Sequence, residues 1–311
     1  MRYPWPLTTD QQGCFDARGA GVPCAGSGQD AAQKPSGLAH AERFEEDGGT
    51  VSDTATGLRW SRNANPFDFP YTWREAFDLI DAMNRSQAHG SDDWRLPSRR
   101  EVFSIISHQN INPALPENHP FGNVFHGYYW TATPCARLPD QAWYVHLGGA
   151  RVYRGMQAGA YLVWPVTGPR QPHSSQTDRF RVEEPIVEDL LTGLWWTRTA
   201  RTGAARATWE EALHAPAELN QEKRGGRSDW RLPNIRELES LADLTRHSPA
   251  LPEGHPFRNL QDGYWSATTS VYEPRYAWVL YMQDGAVGVG FKPEATFSAW
   301  AVAGGDKMRT V

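Results

Sequence analysis

Asp93-Trp94-Arg95-Leu96-Pro97 returns 136 residues later as Asp229-Trp230-Arg231-Leu232-Pro233. Outward from this block the same offset pairs Thr56-Gly57-Leu58-Arg59-Trp60 with Thr192-Gly193-Leu194-Trp195-Trp196, and Arg43-Phe44 with Arg179-Phe180. It also pairs the loop from Ala114 to Phe121 with that from Ala250 to Phe257. Downstream the offset is 135, where Tyr129-Trp130-Thr131-Ala132-Thr133 answers Tyr264-Trp265-Ser266-Ala267-Thr268. A period this long is not that of a solenoid; it is one domain written twice. The expected organisation is an arm over 1–42, a first copy over 43–168, a Pro/Ser-rich joint over 169–178, and a second copy over 179–311.

Within each copy the local signals agree. Thr72-x-x-Glu75 and Thr208-x-x-Glu211 are capping boxes that open a helix, and Ser98-x-x-Glu101 and Asn234-x-x-Glu237 open a second. The first helix places Trp73, Ala76, Phe77, Ile80 and Met83 at helical spacing, and Pro216 is expected to kink or shorten its counterpart. Aromatic and Thr-rich runs follow, with hairpin turns at Gly148-Gly149 and Asp284-Gly285. Two helices and then a small antiparallel sheet predict an α+β domain.

The chain has 311 residues, 14 of them Trp, and is 40% hydrophobic, so two packed cores are within reach. No run approaches the length of a membrane span. A net charge of −5 excludes a general nucleic-acid binder, which needs clustered Lys and Arg against phosphates. Cys14 and Cys24 bracket a Gly-rich stretch that can turn back on itself. They read either as a disulfide, implying an oxidising compartment, or as two free thiols in an arm. Cys135 reads as a small buried hydrophobe. Residues 25–41 read as a surface arm laid over the first copy, or as a lead-in. Met1 to Pro6 has no apolar signal region, so an exported protein would be represented here in mature form.

Two readings stand for Asp93, Trp94, Arg95 and Glu101, and for Asp229, Trp230, Arg231 and Glu237. One is a sugar-stacking indole beside a charged pair. The other, favoured here, is a structural motif ahead of a helix. His119 and His255, each with a Glu two residues earlier, supply two metal ligands at most, so no metal site is assigned. Positions that differ between the copies are the better binding candidates. They are Phe67, Phe69 and Tyr71 in an aromatic loop, Arg151, Tyr153 and Arg154 in a late hairpin, and Phe291 and Lys292 in its counterpart.

The succession Thr-Gly-Leu-x-Trp, Trp-x-Glu-Ala, Asp-Trp-Arg-Leu-Pro with its following Glu, Tyr-Trp-Ser-Ala-Thr and Ala-Trp resembles the Lcl C-terminal domain family over 43–168 and 179–305. The resemblance implies a C-type-lectin-like fold and a bacterial secreted or cell-surface setting. It also implies ligand binding of the kind its namesake, a collagen-like adhesin, shows toward sulfated glycans. No collagen-type tract precedes the copies, and the chain is mildly acidic. Calcium stays open as a ligand through Pro116-Glu117-Asn118 and Asp30, although the second copy has Gly254 in place of the Asn. A formylglycine-generating type of oxidase shares such a fold but relies on paired active-site cysteines, and only Cys135 lies inside a copy.

The function expected is an exported, non-enzymatic, adhesin-like protein recognising a glycan or protein surface, without cofactor, with an oligomer possible. An envelope enzyme and a structural module of a surface assembly are the alternatives.

Overall fold

The computed structural model describes residues 7–33, 43–170 and 179–305, which divide into two compact units. One is the first copy. The other is the second copy together with residues 7–33.

In the arm, β1 (Cys14–Phe15) and β2 (Gly21–Val22) pair antiparallel, and a Cys14–Cys24 disulfide closes the loop with the Cα atoms 5.2 Å apart. Residues 7–33 belong to one compact unit with the second copy, and residues 34–41 of the expected arm lie outside the described residues. The contacts of residues 7–33 are with the second copy, for reasons that lie in side chains set out below.

The first copy opens with β3 (Phe44–Asp47), β4 (Thr50–Asp53) and β5 (Leu58–Ser61), an antiparallel meander. Helices α1 (Trp73–Arg85) and α2 (Arg99–Ser104) follow, each with both arms of its capping box formed. A second antiparallel sheet consists of β6 (Tyr128–Pro134), β7 (Gln141–His146) and β8 (Arg151–Met156). The chain then returns as β9 (Val166–Thr167) beside β5.

The second copy repeats this plan. A meander of β10 (Phe180–Glu183), β11 (Ile186–Asp189) and β12 (Leu194–Thr197) leads into β13 (Thr202–Ala207). Pro216 divides the first helix into α3 (Trp209–His214) and α4 (Ala217–Gln221), because a proline has no N–H for the helix ladder. Then come α5 (Ile235–Leu241), β14 (Gly263–Thr269), β15 (Tyr276–Tyr281), β16 (Val287–Phe291), β17 (Phe297–Ala299) and β18 (Val302–Ala303). Strand β18 closes on β12 as β9 does on β5.

The class is therefore α+β, but the expectation of one small sheet per copy was too low. Each copy has two, because the segment ahead of the first helix is itself a meander, turning at Gly48-Gly49 in the first copy. The expected joint at 169–178 lies almost wholly outside the described residues.

Tryptophans, most of them buried, hold the layers in register. The indole N–H of Trp164 donates to the Ser61 carbonyl at 2.9 Å, and Trp300 repeats this on Thr197 at 3.0 Å. Trp73 and Trp209 reach across to Thr131 and Ser266, each at 2.8 Å. Trp94 and Trp230 donate to Ala88 and Arg224. A buried indole that caps a strand carbonyl satisfies two polar groups while burying a large apolar ring. That accounts for much of the tryptophan content.

The buried charges are duplicated as well. Arg43 pairs with Asp53 and Arg179 with Asp189 through two parallel hydrogen bonds, and each guanidinium also donates to the carbonyl of Ser104 or Ser240. Arg95 grips Glu101 and Arg231 grips Glu237 in the same bidentate way, so the Glu that completes the helix cap also neutralises the arginine.

Candidate functional site

Strand alternation sets out a face on the first copy. Tyr128, His146 and Arg151 lie opposite one another across β6, β7 and β8, and Trp130, Tyr144 and Tyr153 form the next row of the same parity. Tyr129, Val145 and Val152, one residue out of phase, are fully buried on the other side. The final segment lays Tyr161 across this face. Its ring lies 5.3 Å from Tyr128, 5.1 Å from Tyr144 and 4.3 Å from Trp130, while Tyr128 sits 4.5 Å from the His146 ring. Beside them runs an open groove of about 320 Å³ lined by Pro70, Phe125, His126, Tyr128, Tyr161 and Leu162. Phe125 and Tyr128 are about half exposed.

Gly155 makes this packing possible. A Cβ there would stand 2.5 Å from the Tyr161 hydroxyl. We expect Gly155→Ala to push the Tyr161 ring outward and change the near-UV circular dichroism of the tyrosine cluster, with little change in far-UV signal.

The electrostatics are those of a neutral, hydroxyl-bearing surface. Burial, reinforced by Tyr161 and Tyr128, pushes the Tyr144 phenol up to about 12, and burial raises Tyr161 too. Burial lowers His146, and Arg151 and His126 act in the same direction. At neutral pH the face therefore offers phenol donors, an uncharged imidazole and the exposed cation Arg151.

The aromatic loop borders this groove. Tyr71 exchanges backbone hydrogen bonds with Tyr161, and its carbonyl receives the Trp130 indole at 2.8 Å. Phe69 is 69% exposed, whereas Phe67 packs into the core beneath. Tyr153 and Arg151 join the face. Arg154 is paired in register with Trp143, on the side of the sheet that Val145 occupies, and its guanidinium lies 4.7 Å from the Tyr153 ring. Phe291 rests half-buried against Tyr276 at 5.2 Å. Lys292 is corrected outright: it is fully buried, 3.8 Å over the Trp209 ring, and donates to the carbonyls of Phe15 and Asp16 and to Thr269. Phe125, Tyr128, Tyr144, His146 and Tyr161 were missed. Comparing the copies position by position would have found four of them. Gly263 stands for Tyr128, Val279 for Tyr144, Tyr281 for His146 and Phe297 for Tyr161.

The Asp-Trp-Arg blocks serve the frame. Trp94 and Trp230 are buried, Asp93 accepts from Ser91 and Thr167, and Asp229 accepts from Arg227 and the Gly304 N–H. Among the described residues no group of three or more His, Cys, Asp or Glu is placed to hold a metal ion. Asp30, considered above for calcium, is buried and accepts from the hydroxyls of Thr9 and Thr268, each at 2.6 Å. No helix is long and apolar enough to cross a membrane among the described residues.

A family model for the Lcl C-terminal domain matches residues 49–167 and again residues 185–303. The chain belongs to the Lcl C-terminal domain family. No curated protein matches it. The two Lcl C-terminal domains thus share caps, buried ion pairs and indole anchors, and differ in the aromatic face. In the second domain Phe297 lies over Gly263 and against Trp265, and Gly288 stands where the first has Tyr153. The cluster of phenols, with Tyr128 and Tyr153 exposed, belongs to the first domain.

Proposed function

We propose that this chain is a non-enzymatic, exported ligand-binding protein of adhesin type. In this reading its two C-type-lectin-like domains have diverged into a binding copy and a supporting copy. The observation that carries the reading is the cluster of Tyr128, Tyr144, Tyr153 and Tyr161, of which Tyr128 and Tyr153 are exposed, beside the Pro70–Phe125 groove, replaced by Gly263, Val279, Gly288 and Phe297 in the twin. Neutral phenols arranged around an open groove stack on the C–H face of a sugar ring, or on a protein surface, and donate hydrogen bonds at the rim. The disulfide in the arm supports an extracellular or periplasmic setting.

A glycan array combined with capture from surface material identifies the ligand class. Tyr128→Ala with Tyr161→Ala is expected to weaken whatever binds by roughly 30-fold or more, since two aromatic anchors at the centre of a contact, each contributing about 1 kcal/mol or more, together cost about 2 kcal/mol at least. Tyr281→Ala in the second domain should leave affinity unchanged. Equal loss from both domains, or no specific partner in either assay, would overturn the assignment.

A further inference from the structure

We propose that the arm is a detachable lobe, and that the face of the second domain around Thr268, Thr269 and Lys292 is a docking site for the arm of a second copy of this chain.

The lobe is preformed. Its disulfide closes it, the Gln29 side chain bonds both the N–H and the carbonyl of Phe15, and Thr9 bonds Asp30. These contacts are internal, so the lobe keeps its shape on leaving the domain. Its grip on the domain is polar and specific. The Gln11 amide exchanges two hydrogen bonds with the main chain of Thr269, at 2.7 and 2.8 Å. Asn234 donates to the Leu7 carbonyl, Gln33 to that of Leu232, and Thr268 to Asp30. The Lys292 Nζ donates to the carbonyls of Phe15 and Asp16. Leu7 and Cys14 are the only hydrophobic residues of the described arm in the buried core. A contact held by desolvated polar groups with little apolar area opens at low cost compared with a core.

The twin domain shows that this is recognition and not general adhesion. Thr269 corresponds to Pro134, which has no N–H to give to Gln11, and Lys292 corresponds to Gln157, whose amide bonds the nearby carbonyls of Pro139 and Gln141. Among the described residues, the arm contacts have no counterpart on the matching face of the first domain. Phe77, matching the arm-contacted Leu213, is 36% exposed there. Seating this arm on the same face of another copy exchanges an identical element between chains, a low-cost route to association.

Docking within one chain has an effective concentration of roughly millimolar, which hides exchange at ordinary concentrations. Two complementary full-length variants remove that competition. Gln11→Ala with Asp30→Ala spoils the arm and keeps the face. Thr269→Pro with Lys292→Gln spoils the face with the residues the first domain carries there, and keeps the arm. Each alone should run as a monomer with a protease-sensitive arm. Mixed, they should form a one-to-one heterodimer in light scattering, with the face-intact partner's site protected. Two folded variants that stay monomeric when mixed would overturn the proposal. If the double substitution unfolds, Lys292→Gln alone takes its place, and heterodimer or its absence decides in the same way.

Discussion

Asp189→Asn is expected to destabilise the second domain by about 3–5 kcal/mol, because it strands a buried guanidinium. Arg179 and Asp189 are both inaccessible to solvent, their two hydrogen bonds are 2.9 and 2.6 Å long, and Asp189 also receives the Leu191 N–H and the Thr192 hydroxyl. The pair ties the start of the meander to Ser240 at the end of α5. Removing the charge of one partner leaves the other without compensation, which costs far more than the pair contributes net. The midpoint of urea unfolding reads the effect directly. Arg179→Met combined with Asp189→Leu should recover much of the loss, since a matched apolar pair avoids the desolvation of both ions. A double variant no better than Asp189→Asn would mean that the specific geometry, not the charge balance, holds the meander. Asp53→Asn in the first domain is expected to behave alike, because Arg43 and Asp53 repeat the arrangement.

The second large effect lies at Asp30 and depends on pH. Burial pushes this carboxyl from its ordinary 3.8 up to about 6, against the opposing pull of the Thr268 and Thr9 hydroxyls; Glu237 raises it further and Arg231 lowers it. A carboxyl whose value is higher in the folded state binds its proton more tightly there. Its contribution is therefore complete below about pH 4 and is lost as pH rises toward 6, a change of about 3 kcal/mol. Lys292 works in a separate window. Burial lowers it from 10.5 to about 7, so its neutral form favours the folded state and stability should climb from pH 7 upward toward 10.5. The wild-type arm is thus held most weakly between about pH 6 and 7. Asp30→Asn should abolish the fall between pH 4 and 6 and keep the climb above 7, while Lys292→Gln should do the reverse. Urea midpoints, or arm proteolysis rates, measured from pH 4 to 9 test this. An Asp30→Asn variant with the wild-type slope between pH 4 and 6 would show that the carboxyl is not the group responsible.

Much of the frame is legible in the amino-acid sequence. The four capping boxes announce their helices because Thr, Ser or Asn followed three residues later by Glu satisfies both ends of the first turn locally. Pro216 announces the break after His214 for a reason equally local. The early meander was harder to see. Thr50-Val51-Ser52-Asp53 alternates only weakly, because Asp53 and Asp189 point inward to meet arginines and so read as surface residues. The partner that makes an inward carboxylate tolerable lies ten residues away, and nothing in the strand itself reveals it.

The aromatic face was legible only in part. Phe69, Tyr71, Arg151 and Tyr153 stood out as differences between the copies, but Tyr128, Tyr144 and Tyr161 come from three separate strands or segments, and only sheet register brings their rings within about 5 Å. Lys292 misled because a lone cation at the end of a hairpin resembles a ligand contact, and its acceptors lie 277 and 276 residues away in the arm.

By itself the sequence determined that one domain is written twice, which helices cap it and which copy carries the extra aromatics, since each of these rests on spacing along the chain. Tertiary structure decided where the arm lies, which charges are buried and which phenols share a surface. Those outcomes depend on which distant groups can satisfy a buried N–H, carboxylate or ammonium, and a hydrogen bond formed across 250 residues leaves no trace in either neighbourhood.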